Sequence, residues 1–210
     1  VGDYQNIMFI EAARALKIRH PKDVIFIMVS YLPIPNKIGE MKSRPTQHAV
    51  RQLASYGVYT DIIIARSEVP VDQRRKEKIA VSCNIPPEHV ISAPDISSVY
   101  DVPLNFERDN LGTIILERLS MKPKKNAASL KGLSQWKKFA QSVKNARAGS
   151  REVKIAIVGK YFSTGDFVLT DAYVSVLEAV KYSAYALGVK PIIEPINALD
   201  FEPGKETPEA

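Results

Sequence analysis

Cysteine is almost absent from the 210 residues, and no apolar run is long enough to cross a membrane. The single cysteine, Cys83, excludes a disulfide scaffold and a cysteine-based zinc site, and it fits a reducing compartment. No apolar stretch approaches the ~18–20 residues that span a bilayer. The residues after Val1 also lack the charged start and apolar core of a signal peptide. We therefore expect a cytoplasmic location, no membrane partner, and a chain that is a piece of something longer.

Acidic residues are nearly missing from one segment. Between Arg118 and Lys154 the chain has eleven Lys or Arg and one acidic residue, Glu152, whereas the rest is net acidic. Such a run is typical of a solvated linker, and a nucleic-acid-binding surface is the alternative. Its aromatic residues are Trp136 and Phe139 alone, too few for the stacking platform of an RNA-binding surface. We expect no nucleic-acid partner.

Apolar runs of strand length alternate with amphipathic stretches through residues 1–118. The predicted elements are helix 9–16, strand 24–29, helix 45–53, strand 61–66, helix 72–82, strand 90–92 and helix 110–119. The strand runs are continuously apolar and rich in β-branched residues, which is typical of strands buried on both faces. The alternation predicts an α/β fold with a parallel sheet covered by helices on both sides.

A second α/β stretch begins after the basic segment. Its predicted elements are strand 153–161, helix 172–187 and strand 191–196. One β-α-β unit is too small for a complete domain. The sequence therefore predicts three parts: residues 1–118, a basic linker at 119–151 with one helix at 134–146, and the opening of another domain at 152–210.

Residues 42–47 contain the side chains that most directly suggest a binding function. Pro45 is favoured in a first helical turn and predicts an extended Arg44, which would put Lys42 and Arg44 on the same side of the chain. The helix dipole, free amides and two cations then converge on an anion site, for which a triphosphate is the obvious ligand. The alternative is a solvated basic turn whose helix is capped by Thr46. The sequence contains no P-loop motif, Gly-x-x-x-x-Gly-Lys-Ser/Thr.

Eight short motifs stand in a fixed order along the chain. They are Val1-Gly2-Asp3, Phe9-Ile10-Glu11-Ala12, Gly39-Glu40-x-Lys42-x-Arg44-Pro45-Thr46-Gln47-His48, Asp61-Ile62-Ile63-Ile64-x-Arg66-Ser67, Lys78-Ile79-Ala80, Ser98-Val99-Tyr100-x-Val102-Pro103, Gly159-Lys160-Tyr161 and Asp171-Ala172-Tyr173-x-Ser175-Val176-x-Glu178-Ala179. In this order they resemble the CTP synthase family. The resemblance implies an internal fragment, with the later part of a Rossmann-like synthetase (amidoligase) domain followed by the start of a flavodoxin-like class I glutaminase domain.

The resemblance also implies an activity and a set of binding residues. The family makes CTP from UTP, ATP and ammonia released from glutamine, with Mg²⁺ bound to ATP, in pyrimidine nucleotide biosynthesis. The implied UTP- and CTP-binding residues are Lys42, Ser43, Arg44, Pro45, Thr46, Gln47 and Lys78. A CTP-binding segment is implied at Asp3, Tyr4 and Gln5, and an ATP-binding set at Arg66, Pro94, Asp95 and Ile96.

No catalytic residue and no metal ligand is implied within the chain, because the family's P-loop, Mg²⁺ ligands and glutaminase triad match nothing in it. We therefore expect the isolated 210 residues to be inactive, and the whole protein to form a homo-oligomer, a tetramer in the family. Gln5 stands where the family has a glutamate, which weakens the expected CTP contacts. Arg44 replaces the commoner lysine and changes the geometry of the charge. A non-catalytic nucleotide-binding or oligomerisation module is the alternative function.

Overall fold

The computed structural model describes residues 4–35, 39–122, 127–160, 162–164, 167–168 and 173–201. The chain divides into two units, Val1–Lys125 and Asn126–Ala210. Each contains parallel strands connected through helices, which confirms the α/β class predicted from the alternation. Within the described ranges, no helix is both long and apolar enough to cross a membrane.

The first unit is built on a three-stranded parallel sheet. Its strands are β1 (Ile27–Tyr31), β2 (Ile62–Ser67) and β3 (Val90–Pro94), in the order β1-β2-β3. Its helices are α1 (Ile7–Arg19), α2 (Arg44–Ser55), α3 (Gln73–Cys83), α4 (Val102–Arg108) and α5 (Leu111–Arg118). Short 3₁₀ turns occur at Tyr4–Asn6, Pro87–His89 and Val99–Asp101.

Two apolar layers pack on opposite faces of the sheet, as expected for a parallel sheet. One layer joins the sheet to α2 and α3, and the other joins it to α5. Val50, Ile63, Ile79 and Val90 are buried members of the first layer. Ile62, Ile91, Leu111 and Ile114 are the buried members of the second.

The outer strand β1 contradicts the prediction of burial on both faces. It begins at Ile27 and alternates between exposed and buried residues. Ile27, Val29 and Tyr31 are 39%, 63% and 51% exposed, whereas Met28 and Ser30 point into the first layer and are buried. The reason is coverage: the buried residues of the second layer lie on β2, β3 and α5, and that layer includes no residue of β1. An apolar, β-branched run cannot by itself distinguish an inner strand from an outer one.

Single residues set the ends of the helices. Asp72 caps α3, because its carboxylate accepts the Arg75 backbone N–H at 2.8 Å. Asn84, with φ of 56°, ends α3 in the left-handed region, and Gly57, with φ of 74°, follows α2. Asn110 is also left-handed and separates α5 from α4, a helix that the apolar periodicity did not predict.

The second unit contains the predicted β-α-β arrangement. Strands β4 (Glu152–Gly159) and β7 (Lys190–Asn197) pair in parallel, with α7 (Val174–Ala186) between them in the chain. An antiparallel pair that was not predicted consists of β5 (Ser163–Thr164) and β6 (Phe167–Val168), and a 3₁₀ turn follows β7 at Ala198–Phe201.

The helix of the basic segment is longer than predicted and belongs to the second unit. It runs over Ala127–Ala148 as α6, whereas residues 134–146 were expected. It packs against α7, with Phe139 and Tyr182 ring centroids 4.6 Å apart. Its inner face buries Ala140, Val143 and Ala146. Five of the eleven basic residues of the segment therefore lie on a helix that has a packed apolar side.

Candidate functional site

Helices α2 and α3 both begin at the carboxyl edge of the first sheet. Helix α2 follows β1 and α3 follows β2, and all three strands run in parallel. The first-turn N–H groups of both helices therefore lie at the same edge, where their partial positive charge favours anions. Open α/β sheets bind ligands at this edge.

Two cavities that share lining residues lie beside these helix starts. The smaller has a volume of about 370 Å³ and is lined by Glu40, Met41, Lys42, Ser43, Arg44 and Lys78. The larger has a volume of about 860 Å³ and is lined by Glu40, Met41, Ser43, Asp72, Gln73, Arg74, Arg75 and Lys78. Five Lys or Arg residues and two carboxylates thus surround the pair of cavities. The structure brings Lys78, remote in sequence, to the same place as Lys42 and Arg44.

The predicted extended conformation of Lys42-Ser43-Arg44 is wrong. Ser43 has φ of −93° and ψ of −11°, and Arg44 is already the first residue of α2, with Pro45 in the first turn. The helical conformation is disfavoured for a residue before proline but not excluded. Arg44 adopts it here as the first residue of α2. Both cations nevertheless line the smaller cavity.

Ser43 and Gln47 contact each other rather than capping the helix. Gln47 Nε2 donates to Ser43 Oγ at 3.1 Å, and the Ser43 side chain makes no capping bond to the backbone. Ser43 is buried yet lines both cavities. Gln47 therefore holds the Ser43 hydroxyl at the cavity wall.

Thr46 neither caps α2 nor reaches the cavities in this conformation. It is fully buried, and its Oγ1 lies 2.8 Å from the Oγ of Ser30 in β1. The two hydroxyls form a hydrogen bond that joins the start of α2 to the strand below it. Sequence reasoning missed Ser30. The signal available was a small polar residue directly after the apolar run 24–29.

Replacing Ser30 with alanine is expected to lower the free energy of unfolding by about 1–3 kcal/mol, because the buried Thr46 hydroxyl loses its partner. Thr46→Val is expected to lower the free energy of unfolding by a similar amount, since it leaves the buried Ser30 hydroxyl without its hydrogen-bond partner. The double variant S30A/T46V should lose less than the sum, because no polar group then remains unpaired. Urea denaturation of the four proteins measures the coupling, and strictly additive losses would contradict it.

Residues predicted to bind ATP lie at the same edge of the sheet. Arg66 in β2 and Asp95 just after β3 form an ion pair, with Nη2 and Oδ1 2.9 Å apart. The Asp95 backbone N–H donates to the Ser67 carbonyl at 2.8 Å. Pro94 ends β3, and Ile96 is partly exposed beside it. The structure therefore brings these predicted residues together, with Arg66 already paired to a carboxylate.

The predicted CTP segment is only partly described. Tyr4 and Gln5 lie in the exposed 3₁₀ turn before α1, and neither lines the two cavities. Asp3 lies outside the described residues. The geometry thus supports a phosphate-binding role for the residues at the starts of α2 and α3 more directly than it supports a CTP-binding role for this segment.

The described residues do not form a Mg²⁺ site by themselves. They contain no group of three or more His, Cys, Asp or Glu placed to hold a metal ion. Glu40 and Asp72 are the carboxylates at the cavities, and each is paired with a cation, Lys42 and Arg75 respectively. Mg²⁺ prefers several free oxygen ligands in octahedral geometry, which these two paired groups do not supply.

The fold and this edge define an α/β protein with cation-lined cavities at two helix starts. A family model described as CTP synthase N-terminus matches residues 1–121, more than half of the chain. The chain therefore belongs to the CTP synthase family. The matching model is that of the family's N-terminal region, not of the later, internal stretch predicted from the motifs.

Several proteins named CTP synthase are similar to this chain. That of Sulfolobus acidocaldarius is 35% identical over 206 residues, which cover 98% of this chain and 36% of the relative. That of Pyrococcus abyssi is 39% identical over 203 residues, covering 96% and 35%. That of Lactiplantibacillus plantarum is 36% identical over 204 residues, covering 97% and 36%. The chain thus spans little more than a third of the length of these relatives.

Proposed function

We propose that this chain is part of an enzyme that aminates UTP to CTP with ATP and glutamine-derived ammonia, and that its cavities hold the triphosphate of UTP or CTP. The observation that supports this most directly is the convergence of Lys42, Arg44 and Lys78 at the start of α2. Charge-assisted N–H···O bonds to phosphate oxygens are short and strong. The helix dipole adds to them at the same point.

The cavity residues would divide the work of binding. Lys42 and Lys78 are compact charges on flexible stems, suited to separate phosphate oxygens. Arg44 carries a planar fork that binds one phosphate through two N–H groups. The Ser30–Thr46 hydrogen bond would hold the start of α2 against β1 and so keep these cations in register. Their role is to bind and orient the nucleotide.

Other parts of the proposal rest on the motif resemblance. Arg66, Pro94, Asp95 and Ile96 would hold ATP, and Asp3, Tyr4 and Gln5 would contribute to CTP binding. The β4-α7-β7 unit would open the glutaminase domain that handles glutamine. Mg²⁺ would reach the site with ATP on ligands other than the described residues. The whole protein would be a cytoplasmic homo-oligomer, a tetramer in the family.

Replacing Lys42 with alanine is expected to weaken UTP binding about tenfold or more, because a charged hydrogen bond to phosphate is lost. Isothermal titration of UTP into the 210-residue chain measures this. Lys22→Ala is the matched control, since Lys22 is an exposed lysine in the turn after α1, away from the cavities. Equal affinity of wild type and K42A would remove the role of Lys42.

We expect the 210 residues to bind UTP without converting it, so CTP formation by these residues alone would contradict the predicted inactivity.

A further inference from the structure

Glu40 places a carboxylate among the cations of the candidate site. Lys42 Nζ donates to Glu40 Oε2 at 2.6 Å, and Glu40 lines both cavities. The bond from Lys42 lowers the pKa of the Glu40 carboxyl, and the charges of Lys78 and Arg75 lower it further. Glu40 is therefore negatively charged near neutral pH, and it interacts with three of the five cations around the cavities.

We propose that Glu40 is a resident anion that competes with the nucleotide phosphates for Lys42 and so sets the affinity of the site. The ligand in this inference rests on the proposed function. The carboxylate takes the hydrogen bond that a phosphate oxygen would take from the same ammonium group. It must give up that bond when the phosphate binds.

Displacement of Glu40 is physically feasible because the pair is exposed. The Lys42 and Glu40 side chains are 36% and 56% exposed, and exposed ion pairs hold individually weak interactions. A triphosphate carries several negative charges and can satisfy Lys42, Lys78 and the helix start together. After displacement, the carboxylate remains close to the bound phosphates and repels them.

The other carboxylate at the cavities is held in a different way. Asp72 pairs with Arg75, but it also caps α3 by accepting the Arg75 backbone N–H at 2.8 Å. Its position is therefore fixed by the helix. Glu40 makes no comparable backbone bond among the interactions described, and its one short contact there is the ion pair with Lys42. This difference singles out Glu40 as the displaceable group.

Glu40→Gln is expected to tighten binding about three- to tenfold, because it removes the charge that competes with the phosphates for Lys42 and leaves the shape of the side chain nearly unchanged. Isothermal titration at fixed ionic strength is carried out with two probes, tripolyphosphate and UTP. Glu88→Gln is the matched control, since Glu88 is an exposed residue in the 3₁₀ turn before β3, at the opposite edge of the sheet. The affinity of Glu88→Gln for both probes should equal that of wild type. In a Lys42→Ala background, the gain from Glu40→Gln should shrink, because the main partner in the competition is missing.

The outcomes separate this inference from the proposed function. Tighter tripolyphosphate binding by E40Q, with no UTP binding by any variant, supports the resident anion and contradicts the proposed nucleotide. Unchanged or weaker binding of both probes by E40Q overturns the inference, since Glu40 would then merely position Lys42. A gain of the same size in the K42A background overturns it as well. Failure of both probes to bind both wild type and E40Q also overturns it.

Discussion

Replacing Asp61 with asparagine is expected to lower the free energy of unfolding by about 2–3 kcal/mol. Asp61 is a buried carboxylate at the start of β2 that joins three elements. It accepts the Phe26 backbone N–H at 2.8 Å, pairs with Arg118 of α5, and lies 3.6 Å from Lys17 Nζ of α1. Asparagine keeps an acceptor for Phe26 but removes the charge that both cations face. Arg118 is partly exposed, so water can hydrate its guanidinium group in the variant. The loss of unfolding free energy is therefore smaller than for a fully buried ion pair.

The same substitution is expected to change how stability depends on pH. Burial alone would raise the pKa of Asp61, but the hydrogen bonds from Arg118 and Phe26 and the nearby cations outweigh it, and the pKa is lowered. The folded state then binds the proton less readily than the unfolded state does. The stabilisation is therefore complete above the ordinary aspartate pKa of about 4, and it is lost as the pH falls through the lower folded value.

Urea denaturation at several pH values between neutral and acidic tests both effects. Wild type should lose stability more steeply than D61N as the pH falls below about 4, so the two curves should converge. Asp23→Asn is the matched control, because Asp23 is 79% exposed and should change stability by less than about 0.5 kcal/mol. Parallel pH curves for wild type and D61N would refute the ion-pair explanation.

Replacing Asp109 with alanine is expected to lower the free energy of unfolding by about 2–4 kcal/mol. One carboxylate oxygen of Asp109 accepts both the Lys76 ammonium and the Ser92 backbone N–H, each at 2.7 Å. The Lys76 side chain is only 15% exposed. The variant would leave a nearly buried ammonium group and a strand N–H without this partner.

Two further variants separate these contributions. Asp109→Asn keeps an acceptor for Ser92 and should lose less than alanine does. Adding Lys76→Met to D109A should recover part of the loss, because an unpaired buried charge costs more than an apolar side chain of similar length. Denaturant midpoints of the four proteins provide the measurement. If the double variant were no more stable than D109A, the unpaired ammonium would not be the cause.

Asp109 and Asn105 also close one edge of the sheet. Asn105 Nδ2 donates to the Ser92 carbonyl at 2.9 Å, while Asp109 accepts the Ser92 N–H. Both backbone groups of Ser92 are thus occupied by side chains from the α4–α5 region. Natural proteins block edge strands in this way against unwanted pairing. Neither residue stood out in the sequence, because an Asn and an Asp close together in the chain are also typical of ordinary turns.

Local patterns predicted most elements of the fold because their information is contained within one segment. The run 61–66 corresponds to β2, and the stretch 72–82 corresponds to α3 with Asp72 as its cap. Helix α4 escaped prediction because its seven residues are too few to show a helical period. The conformation of Arg44 was predicted incorrectly because the preference before proline was weaker than the start of α2.

The candidate site was predictable only in part. Lys42 and Arg44 stood out because cations beside a helix start form an anion site by local geometry alone. Their assignment to UTP or CTP stays a prediction, as do the ATP and CTP segments. Ser30 was not singled out, and Glu40 stood in a motif without a role, because a strand serine and an exposed glutamate have no special pattern until their partners are known.

The amino-acid sequence by itself determined the α/β alternation, the helix start at 42–47 and the family. These depend on periodicity, capping and motif order, which are local or linear properties. Only the tertiary structure decided that Lys78 meets Lys42 at one cavity, that the Thr46 hydroxyl is used inside the core, and that one face of β1 stays open. These outcomes depend on which segments lie side by side, and the packing of the parallel sheet and its helices sets that arrangement.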